Sequence, residues 1–357
     1  MKTNKKPTMQ DVAREAGVST ATVSRVLAGF KGATSDETAK RVRDVAASLG
    51  YVVNSVAASL RKERSSSVGL ILADVANPFF GSLASGVEQT LTSQGFSVLL
   101  ASSGNDADEE QRLLRLMAEK QVDAVIIASS AASGAHINEA IARGMRIVLV
   151  DSELPDVDAD TVVVDNQAAA RSAIEHLLDL GHRQIAIVTG QLQASFDRER
   201  LAGYQQALAG RGLKPLKKLT LGGDSSYEGG RTAVAQLLRK QPGVTAIFAS
   251  NNLMSMGAIT AVLEAGLRLP EDISLVGFDD MEWYPIFKPA ISAVAQPAYQ
   301  LGQVAAQRLL ERFAADSVLP CTRVVLPTQL IVRASTAVPS PSTSALRSQA
   351  LKTTLGR

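Results

Sequence analysis

The stretch Thr8–Gly29, TMQDVAREAGVSTATVSRVLAG, decides how the N-terminal part of the chain is read. Thr8 stands three residues before Asp11 and reads as the cap of a first helix, with Val12 and Ala13 turned inward. Gly17 ends that helix. Ser19 caps a second helix in which Val23, Val26 and Leu27 fall at helical spacing, leaving Thr20, Ala21 and Arg25 on the outer face. Gly29 and Gly32 close it. A third helix starts at Ser35, gathers Val42, Val45, Ala46 and Leu49 on one side, and stops at Gly50, a residue suited to the left-handed conformation of a helix end.

Two short helices joined by a tight glycine turn match a helix-turn-helix, whose second helix enters the major groove N-terminus first. Short side chains at Thr20 and Ala21 suit apolar contact with thymine methyls, and Arg25 can fork onto guanine. Any three-helix mini-domain shows the same periodicity, so the spacing leaves both readings open. Charge bears on the choice. Residues 1 to 64 hold 12 Lys/Arg and 6 Asp/Glu, a balance of +6, and the remaining 25 and 29 give −4. A basic head on an acidic body points to a polyanion, although a solvated basic face gives the same count.

The same stretch, continued by ETAKRVRDVAASLGYVVNSVAASLR (Glu37–Arg61), closely resembles the DNA-binding headpiece and hinge of the lactose-repressor (LacI/GalR) family. The resemblance implies that Thr20, Ala21 and Arg25 read an operator and that Met9, Ser19, Thr22, Ser24, Asn54 and Ala57 lie near the DNA. Ala28 departs from the Asn of many members. The segment Asn54–Arg61 is too short to hold a helix alone in water. By the resemblance it folds on the operator, where two copies from a dimer pack in the minor groove and insert Leu60. Such a wedge unstacks a base step and bends the duplex. Packing of Leu60 on the core is the alternative.

The run RKERSSS marks a boundary near residue 65, and the body begins at Val68. From there apolar runs alternate with helical patterns: VGLILA, GSLASGVEQTLTSQ, SVLLAS, EEQRLLRLMAEK, AVIIAS, INEAIARG and IVLVDS. A second series follows Asp165, from ARSAIEHLLDLG and QIAIVTG to ISLVGFDD. Parallel strands joined by crossover helices give this pattern, and two series imply two lobes with a ligand beyond the carboxyl ends of the strands. Asp151, Asn251 and Asp279 stand at such ends. With Arg198 they form a set able to bind hydroxyls, or equally a set of helix caps and surface pairs.

DVANPFF, DRERLAGYQQAL, the NNLMSMGAITAVLEAGLRLPEDISLVGFDD run and Gln296-Pro297 extend the family resemblance to about Pro339, in a form similar to periplasmic sugar-binding proteins. It implies effector contacts by Phe79, Asp151, Arg198, Asn251, Asp279 and Gln296, with Phe80, Phe196 and Asn105 beside them. Asn252 stands where many members have Asp, and Ser225 where several have an aromatic, which leaves ring stacking to Trp283 or the Phe pair. Arg198 could grip a carboxylate, so a sugar acid such as gluconate or ketogluconate stands beside a neutral sugar.

The expected architecture is an α helix-turn-helix headpiece plus an α/β two-lobed periplasmic-binding-protein-like effector domain. Residues 1–52 form the headpiece and 53–65 the hinge helix and linker. Residues 66–338 form the effector domain, with an N-lobe at about 66–166 and 298–325 and a C-lobe at about 167–294 and 326–338. A flexible tail spans 339–357. Its Leu346, Leu351 and Leu355 fall short of a coiled-coil seam, so the expected assembly is a homodimer.

The single Cys321 excludes an internal disulfide and a cysteine metal cluster; a buried structural thiol in a reducing cytoplasm is expected. His136, His176 and His182 are the only histidines. With no P-loop, nucleophile elbow or metal-ligand spacing, neither catalytic residues nor a metal nor a cofactor is expected, and His182 reads as structural. The basic start lacks an apolar run, and no stretch is long and apolar enough to span a membrane, so a transport protein is disfavoured. The function expected is repression of carbohydrate or sugar-acid catabolism genes from a palindromic operator, relieved by a small effector. Co-repression and activation stay open.

Overall fold

The structure, a computed structural model, describes residues 7–27, 34–51, 65–315, 317 and 319–340. They divide into two compact units between Ser65 and Ser66. Ala28, Gly29, Gly32, Asn54, Ala57, Leu60 and the leucines of the tail lie outside the described residues.

The first unit holds α1 (Met9–Ala16), α2 (Thr20–Leu27) and α3 (Asp36–Ser48). Thr8 and Asp11 cap α1 reciprocally: Asp11 N donates to Thr8 Oγ1 at 3.3 Å and Thr8 N to Asp11 Oδ2 at 3.0 Å. The Thr8 hydroxyl, then its backbone N–H, hold the Asp11 carboxyl below the usual range. Gly17 takes φ 66°, and Val18 N returns to Ala13 O at 3.0 Å, which ends α1 within one residue. Ser19 Oγ then accepts from Thr22 N at 3.1 Å and starts α2. Val12, Ala16, Val23, Val26, Val42 and Ala46 meet in one small core, and Arg41 Nε donates to Ala16 O at 3.2 Å across α1 and α3. Leu49, expected inside, lies exposed at the end of α3.

The second unit runs β1 (Ser67–Leu72), α4 (Pro78–Ser93), β2 (Ser97–Ser102), α5 (Ala107–Glu119), β3 (Ala124–Ile127), α6 (Ala135–Ala142), β4 (Arg146–Val150) and β5 (Asp160–Val164). It continues with α7 (Asn166–Asp179), β6 (Ile185–Thr189), α8 (Ser195–Gly210), β7 (Thr220–Gly222), α9 (Tyr227–Lys240), β8 (Ala246–Ala249), α10 (Asn252–Glu264) and β9 (Ser274–Phe278). β10 (Ser292–Ala295), α11 (Ala298–Ala314), β11 (Arg323–Leu326) and β12 (Gln329–Ile331) complete it.

The strands form two sheets, ordered β11-β5-β4-β3-β1-β2 and β12-β10-β9-β8-β6-β7. Pairing is parallel throughout except for β12 on β10. Helices cover both faces, which is why the inner strands are near-continuous runs of buried Val, Ile and Leu. In the first lobe α4 and α11 pack on one face, and α5 and α6 on the other. In the second lobe α7 and α8 oppose α9 and α10. The chain crosses between lobes after β5, after β10 and after β11.

Two features fix α11 on the first lobe. A Cβ at Gly86 would lie 2.0 Å from Tyr299 O and one at Gly302 2.1 Å from Leu83 O, so the crossing with α4 tolerates only glycine there. Behind it the buried Asp160 accepts from Thr322 N at 2.8 Å and from Arg308 Nη2 at 3.2 Å, and it pairs with Arg312. Asp160 is the buried member of this set, and its two arginines are partly exposed.

Cys321 departs from expectation. It is exposed in the loop before β11, with Arg312 Nη2 at 3.4 Å, and is not a buried structural thiol. His182 is buried, its Nδ1 2.9 Å from Thr245 Oγ1 and its Nε2 2.9 Å from Ala337 O; burial lowers its pKa.

Candidate functional site

At the carboxyl ends of the strands the backbone must turn, and it does so through polar residues. Asn77 caps α4 by accepting from Phe79 N at 3.0 Å, and Asn251 caps α10 by accepting from Met254 N at 2.7 Å. Asn105, Asp151, Ser225 and Asp279 all adopt left-handed φ, from 52° to 67°. Non-glycine residues reach this region at some cost, and such strain gathers at functional sites. The turns bring Asp74, Asn77, Phe79, Phe80, Asn105 and Asp151 of the first lobe against Phe196, Arg200, Ser225, Asn251, Asp279 and Gln296 of the second.

The cleft between them is shut. Asn252 Nδ2 donates to Asn77 Oδ1 at 2.7 Å across the lobes, and Asn252 N donates to Asp279 Oδ2 at 3.3 Å. A volume of about 40 Å³ is left, comparable with the space of roughly one or two waters. A small molecule therefore enters only by parting the lobes.

Arg200 is the one cation among the residues lining this cleft, and it is 3% exposed. Its Nε donates to Asn166 Oδ1 at 2.9 Å and its Nη1 to Ser250 O at 2.6 Å, while the guanidinium carbon lies 3.7 Å from the Phe278 ring centroid. Burial pushes the Asp151 carboxyl up to about 7; Arg200 opposes the rise, and Asp279 and Asp197 add to it. Burial also raises Asp279 and Asp197, again against the pull of Arg200. Carboxyls that outnumber their cation in a dry site either hold a proton or take hydrogen bonds from a donor. Gln296 Nε2 already gives one to Asp279 Oδ1 at 2.6 Å.

Eight of the sequence candidates line the cleft: Phe79, Phe80, Asn105, Asp151, Phe196, Asn251, Asp279 and Gln296. Arg198 does not. It is exposed on α8, where its Nη1 donates to Leu192 O at 3.1 Å and to Gln193 O. Helix geometry gives the reason: Phe196 and Arg200 are four residues apart on one face, whereas Arg198, two residues on, points away. That spacing was present in the sequence and identifies Arg200. Asn77 was also missed, although the Pro78 that follows it marks a helix start. Trp283 walls an adjoining cavity rather than this cleft.

In the first unit Ser19, Thr20, Ala21 and Arg25 are exposed at the N-terminal end and outer face of α2, with Thr22 and Ser24 partly so. Met9 packs partly against the small core. Arg25 Nε reaches Ala21 O at 3.4 Å, which leaves a basic fork on the surface. Among the described residues no group of three or more His, Cys, Asp or Glu is placed to hold a metal ion, and no helix is long and apolar enough to cross a membrane.

Comparison with known proteins assigns both units. Residues 8–54 match the model for bacterial regulatory proteins of the lacI family, and residues 65–326 match that for periplasmic binding proteins and the sugar binding domain of the LacI family. The catabolite control protein A of Priestia megaterium is 34% identical over 330 residues, covering 92% of this chain and 99% of that protein. The lac repressor dimer bound to operator and the anti-inducer ONPF superposes with a TM-score of 0.83 at 28% identity, over 93% of this chain and 100% of that one. A complex of the transcriptional regulator CelR with cellobiose gives a TM-score of 0.70 at 32% identity, over 92% and 99%.

Proposed function

The chain belongs to the lacI family of bacterial regulatory proteins, and from that membership we propose that it represses genes of carbohydrate use and is released from its operator by a neutral sugar. It is a DNA-binding transcription regulator that partners operator DNA, a sugar effector and a second copy of itself. Its first unit takes the operator role: α2 presents Thr20, Ala21 and Arg25 to bases, with Met9, Ser19, Thr22 and Ser24 at the DNA surface. The segment carrying Asn54, Ala57 and Leu60 acts as the hinge.

The observation that carries the choice of a neutral effector is the charge of the cleft. Arg200 is its one lining cation and its guanidinium is already bonded, while Asp74, Asp151 and Asp279 line the same space. An anionic ligand would meet three carboxyls and a single cation whose Nε and Nη1 are already bonded to the protein. The case for a sugar acid rested on Arg198, which lies outside the cleft. Hydroxyls, by contrast, donate to carboxylates, and the Phe79 and Phe196 rings suit the apolar face of a sugar. The cellobiose complex of a relative supports the same class of ligand.

A thermal-shift screen of neutral sugars, gluconate and 2-ketogluconate, followed by gel shifts on operator DNA, tests this. A neutral sugar at about 100 times its dissociation constant should add about 2.7 kcal/mol to stability and weaken operator binding. Tighter binding of a sugar acid than of any neutral sugar would reject the reading.

A further inference from the structure

Beside the shut cleft lies a much larger cavity of about 620 Å³, within the size range of small-molecule sites. The two spaces share three lining residues, Phe79, Asp279 and Gln296, so they adjoin each other. On its far side the cavity is walled by Met281 and Trp283 of the loop after β9, and by Ser82 of α4. Trp283 is half-buried and held edge-on by Tyr284, with centroids 4.5 Å apart, and by Phe287 at 6.1 Å. A ring braced in this way is a fixed flat platform.

No Lys or Arg lines the cavity, whereas Asp279, Asp280 and Glu282 do. Asp280 is taken up by Arg333, whose Nη1 and Nη2 donate to it at 2.6 and 2.8 Å. Phosphate and carboxylate groups are therefore disfavoured here. At the shared wall Gln296 spends its amide nitrogen on Asp279, and its Oε1 is buried with no hydrogen-bond partner among the described residues. A buried acceptor without a partner is uncommon in folded proteins and suits a hydroxyl donor.

We propose that this annexe is a second sugar subsite, so that the effector is a neutral two-ring saccharide: one ring in the cleft, the other on Trp283, with the linking region at Asp279 and Gln296. The inference rests on the neutral-sugar reading above and adds the size of the ligand. A platform of this kind gives a pyranose ring apolar contact on its face while the acidic rim accepts its hydroxyls.

Titration calorimetry of the full-length protein tests it, with glucose, galactose and ribose as single rings, cellobiose, maltose and lactose as double rings, and glucose 6-phosphate as the anionic probe. The expected result is a two-ring sugar bound at least about tenfold more tightly than its component ring, a factor of about 1.4 kcal/mol. Trp283→Ala, which removes the platform, and Ser82→Trp, which fills the annexe from an exposed helix position, should each abolish that gain. Operator binding without sugar should be unchanged in both, as the control for folding; Ser82→Trp stands in should Trp283→Ala fail it. Single-ring sugars bound as tightly as double-ring ones, or a two-ring affinity indifferent to both substitutions, would overturn the annexe and leave the neutral-sugar reading standing; glucose 6-phosphate as the tightest ligand would overturn both. No binding by any sugar would overturn the neutral-sugar reading with it.

Discussion

Asn252 donates its side-chain amide to Asn77 at 2.7 Å and so joins the start of α10 in one lobe to the start of α4 in the other. The bond has a fixed polarity. Asn77 Oδ1 also accepts from Phe79 N as the cap of α4, so Asn77 cannot turn its amide over without losing that cap.

Asn252→Asp is therefore expected to open the cleft. An oxygen would face Asn77 Oδ1, and a further carboxylate would sit beside Asp279, whose Oδ2 already lies 3.3 Å from the residue 252 nitrogen. Loss of the bond and the opposition of two acceptor oxygens should cost the closed form about 1–3 kcal/mol. Small-angle scattering of the unliganded protein should show a larger radius of gyration, with a smaller change for Asn252→Ala. An unchanged radius in both variants would mean that other contacts hold the lobes together.

Arg200 and Arg198 separate by experiment. Arg200→Lys keeps the charge but loses the fork to Asn166 and Ser250 and the stacking on Phe278, so the cleft wall is less well ordered and effector affinity should fall by about 1–3 kcal/mol. Arg198→Ala, on an exposed side chain bonded to its own loop, should bind effector within about twofold of wild type. Calorimetry reads both. The reverse ranking would place the binding site elsewhere.

Stability should depend on pH through Asp151. Its carboxyl rises from 3.8 to about 7 in the folded protein, chiefly by burial, so the folded chain holds the proton more tightly than the unfolded chain. The stabilisation from this group is fully present below the unfolded value and is lost as pH rises through about 7. Asp279 and Asp197, also raised by burial, act in the same direction. Relative to Asp151→Asn, the wild type should lose up to about 2.6 kcal/mol between about pH 5 and about pH 8. Denaturant titrations of both proteins across that range measure it; a parallel pH dependence would show that Asp151 stays ionised.

On DNA, Arg25→Ala should cost about 1–3 kcal/mol at the cognate operator and much less on random sequence, because a fork onto guanine reads a base whereas a phosphate contact does not. Fluorescence anisotropy on the two DNAs at equal salt separates the cases. Equal weakening on both would identify Arg25 as a backbone contact.

What the sequence determined by itself was whatever short range controls. Thr8, Gly17, Ser19 and Ser35 mark helix ends through bonds that span three or four residues, and these bonds are present. The alternation of buried strands with amphipathic helices declared a two-lobed α/β body, because strands covered on both faces must be apolar along their whole length. Strand ends then pointed to Asp151, Asn251 and Asp279. Tertiary structure alone decided which groups meet across the cleft. Asn77 and Asn252 are 175 residues apart, and no local pattern announces their bond. Nor could composition show that Arg200 is the cation among buried carboxyls, or that Asp160 would gather Arg308, Arg312 and Thr322. Cys321 reads as buried by residue type, yet it sits exposed in a loop, because its place in the chain outweighed the preference of its side chain. Charge pairing and closure depend on distances between elements remote in sequence, and those distances exist only once both sheets have formed and the chain has crossed between them.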